Sequence, residues 1–172
     1  MDLKSIILNR KSIRKYKDQP IPEEAVHDIL EAGMSAPSCV NARDWSFIVV
    51  RDPEVLAKMA DANGRPAEPL RKAAMGILVL GDLERAFPRA QEYWVVDGAI
   101  AAENMILMAE SLGIGSVWLG TWPQMDRVER LRQVFDLPET VIPHSIIAFG
   151  YPDETPARKG FYEEDRVHFD RW

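Results

Sequence analysis

Cys39 is the only cysteine in the chain. One thiol makes no disulfide framework and no thiolate metal site, which suits a reducing compartment. Histidine is nearly as scarce: His27, His144 and His168 are isolated, and none is read with a His, Asp or Glu partner at a metal-binding spacing of the His-Glu-x-x-His kind, so no metal is expected. Positive charge is in the minority, with 21 Lys and Arg against 27 Asp and Glu and a formal net charge of -6. That balance, with no extended basic stripe, excludes the usual nucleic-acid footprint. Long apolar runs are missing too. The longest, Gly98 to Leu112, is interrupted by Glu103, Asn104 and Glu110, so it reads as a buried helix and not a membrane span. Met1-Asp2-Leu3-Lys4 does not open a signal peptide, and a cytoplasmic protein is expected. Gly-x-Ser-x-Gly elbows, phosphate-binding Gly-x-x-x-x-Gly-Lys-Ser loops, repeats and low-complexity tracts are absent as well. With no acid, base or nucleophile standing out, the chain fits a protein whose cofactor carries the chemistry.

What the chain does have is a local reversal of charge. Arg10-Lys11-Ser12-Ile13-Arg14-Lys15-Tyr16 sets four cations and a hydroxyl into an otherwise acidic sequence. In an extended segment side chains two apart share a face, so Arg10, Ser12 and Arg14 point at one object. At about 3.3 Å per residue the two arginines span roughly 13 Å, more than a small anion needs. A longer ligand, with a phosphate at one end and a polar ring edge at the other, suits such a row, because guanidinium matches phosphate and carbonyl acceptors alike. Taken alone, a basic run this short reads as a solvated face.

At 172 residues, 47% hydrophobic, the chain suits one compact domain over residues 1–172. Leu3, Ile6 and Ile7 form a short helical stripe that delivers the basic segment. Pro20-Ile21-Pro22-Glu23 opens a second helix carrying Val26, Ile29 and Leu30, with Gly33 and Pro37 closing it or bending its last turn. After a loop from Ala36 to Asp44, strands are expected at Trp45 to Val50, Met75 to Leu80, Ser116 to Leu119 and Ile142 to Phe149. Helices are expected at Pro53 to Asn63, Gln91 to Leu112 and Met125 to Phe135, with Gly81-Asp82 ending the second strand. The last 22 residues, Tyr151 to Trp172, show no clean periodicity yet are aromatic, as a tail packed on a second subunit would be.

Pro37-Ser38-Cys39-Val40-Asn41 offers a hydroxyl and a carboxamide able to read a heterocycle edge, although the same residues make ordinary turns. Cys39 has no histidine beside it and is not read as a catalytic thiol. Gly113-Ile114-Gly115 precedes a strand where a dinucleotide fingerprint follows one, and Trp118 stands where glycine is required, which excludes a Rossmann reading. Gly115 and Gly120 bracket a strand instead and allow close backbone approach to a flat ligand.

In this order the pieces resemble the FMN-dependent nitroreductase family over nearly the whole chain. The basic segment is similar to the family's Arg-x-Ser-x-Arg-x-aromatic motif, and Ala36-Pro37-Ser38 with Asn41 and Trp45 to its Pro-Ser-x-x-Asn segment. Asp97-Gly98 leading to Glu103-Asn104-Met105, Leu112 to Gly120, and Phe149-Gly150-Tyr151-Pro152 resemble its central helix, following strand and closing strand. The resemblance implies an α+β fold, a mixed sheet surrounded by helices in an interlocked homodimer with two FMN sites at the interface. It further implies that Arg10 and Ser12, with Lys11 beside them, hold the phosphate and that Arg14 reaches the pyrimidine edge. Pro37, Ser38 and Asn41 would come from the partner, and backbone at Leu119, Gly120 and Thr121 would face flavin N5. A basic tail residue, Arg158 or Lys159, would complete the phosphate site. The implied activity is NAD(P)H-dependent reduction of nitroaromatics, quinones or similar acceptors, the alternative being an FMN-binding or storage protein without turnover. A domain binding an acidic partner without flavin is the other reading of the basic segment. Arg43-Asp44 stands where the family often has Gln-Pro, and Phe161 where relatives often carry arginine.

Overall fold

The computed structural model describes residues 2–157, 160 and 162–172. Among the described residues five α-helices and four strands follow one another: α1 (Leu3–Asn9), α2 (Glu23–Met34), β1 (Trp45–Val50), α3 (Pro53–Asn63), β2 (Met75–Asp82), α4 (Tyr93–Ser111), β3 (Gly115–Gly120), α5 (Met125–Phe135) and β4 (Val141–Gly150). Local signals set several ends. Asp2 accepts a hydrogen bond from the Ser5 amide at 3.0 Å to start α1. Asp52 accepts from the amides of Glu54 and Val55, ahead of Pro53 in the first turn of α3.

The sheet order is β1-β2-β4-β3. β2 is buried on both faces: Leu78 and Leu80 join Leu56, Met59, Leu131 and Ile146 on one side, while Ile77 and Val79 join Ile29, Met105, Ile147 and Phe149 on the other. A central strand covered twice reads as a continuous apolar run, as Met75 to Leu80 does. On one face α4 packs close to α2. A Cβ at Gly33 would stand 2.8 Å from Cγ of Met105, and the Asn104 carboxamide donates to the Ala32 carbonyl at 3.1 Å.

The α+β class holds, with a correction to the expected mixed sheet. All three strand pairings are antiparallel, and the parallel pairing among the described residues is the isolated bridge between Ser12 and Ser116. The connections explain this. Between β1 and β2 lie α3 and a 3-10 segment at Arg65–Lys72, and an out-and-back pair returns the chain to the end it left, which makes its neighbour antiparallel. α4 alone crosses from β2 to β3, so those two run the same way, but β4 lies between them. The Arg65–Lys72 segment, holding Pro66 and Pro69, is absent from the sequence expectation because its eight residues show no full helical repeat. β2 runs on through Gly81-Asp82, where pairing with Ile142 and Val141 continues. α4 starts at Tyr93, two residues later than expected. No described helix is long and apolar enough to cross a membrane.

Candidate active site

The basic segment docks along β3 and the chain after β4. The Ile13 amide donates to the Ser116 carbonyl at 2.8 Å, the Lys17 amide to Tyr151 at 2.9 Å, and the Asp153 amide to Lys15 at 2.9 Å. Ile13 and Tyr16 are its buried anchors. Each lies against a glycine: a Cβ at Gly115 would stand 2.8 Å from Cβ of Ile13, and one at Gly150 would stand 2.7 Å from the Tyr16 ring. The Tyr16 hydroxyl donates to the Ile13 carbonyl at 2.6 Å, and burial pushes its pKa far above the ordinary phenol range. Glu154 fixes the segment from behind, its carboxylate accepting from the amides of Arg14 at 2.5 Å and Lys15 at 3.1 Å. No sequence motif marks Glu154. It becomes relevant only because Tyr16 and Pro152 form a bridge.

With Ile13 and Tyr16 turned inward, Arg10, Lys11, Ser12 and Arg14 line one cavity of about 620 Å³, which Ile7, Leu8, Pro156, Ala157 and Tyr162 also line. Arg10 lies 3.7 Å from a Glu103 carboxylate oxygen, too long for a hydrogen bond. Among the described residues Lys11 and Arg14 make no ion pair. Burial raises the pKa of Glu103, and Arg10 pulls it back. Burial likewise raises Glu110, against Lys11 and Arg10. Cations held this loosely beside half-buried carboxylates are available to a stronger anion.

Leu119 and Gly120 end β3 and Thr121 follows it, three to five residues beyond the Ser12 bridge at Ser116, and none of the three lines the cavity that Arg10 lines. A Cβ built on Gly120 meets nothing within 4 Å. The backbone there is held firmly: Asn63 and Arg127 both donate to the Gly120 carbonyl, at 3.3 and 2.8 Å, and the buried Thr121 hydroxyl donates to the Asn63 side chain at 2.9 Å. Sequence reading missed Asn63, a polar residue closing an apolar helix before Gly64.

Pro37, Ser38 and Asn41 do not line the cavity that Arg10 lines. They lie on a separate turn before β1, whose 3-10 segment is Cys39–Asn41. Val40, Asn41 and Arg43 there have positive φ, at 47°, 58° and 53°. The Asp97 carboxylate accepts from the Cys39 amide at 3.1 and 3.0 Å, and the Ser38 hydroxyl accepts from the Arg43 amide at 2.9 Å. Arg158, Lys159 and Phe161 lie outside the described residues.

His144 is structural. Its ring nitrogens lie 3.0 Å from the Ser145 hydroxyl and 3.0 Å from the Val95 carbonyl, and burial lowers its pKa to about 4. Ligand atoms of His27, Asp28 and Glu31 lie within 4.8 Å of one another on α2, at a spacing other than His-Glu-x-x-His. A histidine and a carboxylate four apart share a helix face, as residues at that spacing do. The cluster is at the surface, where acidic groups commonly stand together.

Comparison with known proteins places this geometry. The Nitroreductase family model matches residues 7–151. Over 172 residues, all of this chain and 88% of the relative, it is 42% identical to a candidate NADH dehydrogenase/NAD(P)H nitroreductase of Methanothermobacter thermautotrophicus. Among solved structures, an FMN-dependent nitroreductase from Clostridium difficile matches with a TM-score of 0.91 at 30% identity, covering 98% of this chain and 99% of that one. The NADPH:FMN oxidoreductase of Vibrio harveyi, complexed with NAD+, matches at 0.89 and 26% identity, over 99% of this chain and 77% of that one. The match runs from the end of α1, through the cation row and the central helix, to the residue after β4, and on that ground the chain belongs to the nitroreductase family.

Proposed function

We propose that the chain is an NAD(P)H-dependent FMN oxidoreductase of the cytoplasm, working as one domain in a homodimer. The observation that carries this is the row Arg10, Ser12 and Arg14 along one wall of a cavity of about 620 Å³, within the roughly 300–1,000 Å³ of small-molecule sites. The residues fit FMN in chemistry. Guanidinium and hydroxyl suit a phosphate, a second guanidinium suits carbonyl and ring-nitrogen acceptors, and the open space over Gly120 admits a flat ring against backbone.

Arg10 and Ser12 bind the phosphate, with Lys11 adding charge and Arg158 or Lys159 completing the site. Arg14 reaches the pyrimidine edge. Leu119, Gly120 and Thr121 present backbone to the ring, held still by Asn63 and Arg127. Pro37, Ser38 and Asn41 reach the ring of the partner's site, consistent with their place away from this chain's own cavity. FMN held there would supply the redox chemistry, a ping-pong hydride transfer through flavin N5 between a nicotinamide and a nitroaromatic, quinone or similar acceptor. The chain's residues bind, orient and exclude water, and none is needed as nucleophile.

An absorption spectrum of the purified protein under anaerobic conditions tests the reading. A flavin band that bleaches with NADPH and returns with a quinone is expected. A flavin band unmoved by NADPH and NADH would mark a binding or storage protein, and a colourless protein that does not take up FMN would mark a domain whose basic segment serves an acidic partner.

A further inference from the structure

Asp44 is a buried carboxyl that, among the described residues, pairs with no group of opposite sign. It is 1% exposed, and among the described residues neither carboxyl oxygen has a hydrogen-bond partner. It cannot easily turn outward. Its carbonyl accepts from the Asp82 amide at 2.6 Å, and the next residue, Trp45, is packed with Ala36 and Ala101. The groups that face it are acidic: Asp97 from α4, within hydrogen-bonding reach, and Asp82 at the end of β2. Arg43 and Arg85 are exposed and line an open groove along β1. His144, against Gly98, is kept neutral by its own burial and adds no charge. Two carboxylates in such a place cannot both ionise cheaply, and a shared proton is the ordinary solution.

Asp97 has a second task. Both its oxygens hold the Cys39 amide, the first residue of a turn in which Val40, Asn41 and Arg43 take left-handed φ. Residues with a Cβ stay in that region only when contacts hold them there.

We propose that Asp44 is a positioning residue for the turn Pro37–Asn41: in its acid form it donates a hydrogen bond to Asp97, and that bond keeps Asp97 on the Cys39 amide. The effect on flavin rests on the function proposed above, in which this turn serves the partner's FMN site. Burial, with Asp97 next in weight, pushes Asp44 up from 3.8 to about 6. A group whose pKa is raised on folding favours the fold in its acid form. The support is complete below the ordinary aspartate range and declines as pH rises toward about 6; above that, two buried charges oppose each other and the anchor loosens.

The test compares the full-length protein with Asp44→Asn, whose carboxamide donates at every pH, at about pH 5 and about pH 8. Exchange of the Cys39 amide, corrected for its intrinsic rate, should quicken in the parent at the higher pH and stay slow in the variant. Thermal unfolding should favour the variant at the higher pH. In an FMN titration the variant should bind roughly tenfold tighter than the parent at the higher pH and equally at the lower. Equal pH dependence of Cys39 exchange in both proteins, or a variant less stable than the parent at the higher pH, would overturn the assignment. If neither protein binds FMN, the proposed function fails while the exchange and unfolding measurements still decide the role of Asp44.

Discussion

Arg10 shows how little holds the candidate phosphate site in place before a ligand arrives. Its side chain is a third exposed, and its carboxylate neighbour Glu103 is half exposed and 3.7 Å away. A pair of that kind contributes about 0–1 kcal/mol. A charge-assisted hydrogen bond to phosphate is worth about 1.5–3 kcal/mol. Arg10→Ala should therefore weaken FMN by roughly tenfold to a hundredfold, with little change in the unfolding of flavin-free protein. A fluorescence titration beside a thermal melt separates the two effects, and unchanged FMN affinity in the folded variant would remove Arg10 from the site.

The element that matters most is the extended stretch from Arg10 to Tyr16, which has no strand partner beyond single bridges yet is fixed as firmly as one. Its anchoring depends on two glycines in neighbouring strands. At Gly115 an added methyl would meet Cβ, Cγ1 and Cγ2 of Ile13 at 2.8 to 3.0 Å, and a branched buried residue has no free rotamer to yield. Gly115→Ala should cost about 1–3 kcal/mol and, by lifting Ser12 and Arg14 away from β3, weaken FMN as well. Gly120→Ala is the counterpart, since its methyl meets nothing within 4 Å. It should leave stability nearly unchanged and weaken FMN alone, because it fills the space proposed for the ring. Urea unfolding with FMN titration on both variants checks the pair, and a Gly115→Ala protein as stable as the parent would contradict the docking of Ile13.

At the scale of the whole molecule, large apolar side chains stay exposed at three places, as the proposed homodimer requires. Leu3 and Ile7 on α1 are exposed, as are Val40 on the turn and Tyr162, Phe169 and Trp172 on the tail. The turn that carries Ser38 and Asn41 does not line the cavity with the cation row, and the function proposed above has it serve the partner's flavin. Dilution should then release FMN together with dimer dissociation, followed by sedimentation with absorbance at the flavin band. Monomers that keep flavin at full stoichiometry would show that one chain suffices.

Much of this was legible in sequence because it is local. β1, α3 and α5 fall at the residues where apolar periodicity put them, and the cation row is a matter of adjacent residues. The paired motifs in their order identify the family, since they lie in one linear sequence. What sequence alone could not determine depends on residues far apart in the chain. Glu154 behind Arg14, Asn63 under Thr121, and Asp44 against Asp97 are each brought together by the path of the sheet, through separations of 140, 58 and 53 positions. The antiparallel order of the strands was decided in the same way, by how the helical connections return. A buried carboxyl pair is legible only in the fold, because in the chain Asp44 is one acidic residue among 27, and it is burial beside a second carboxylate that gives it a proton to hold.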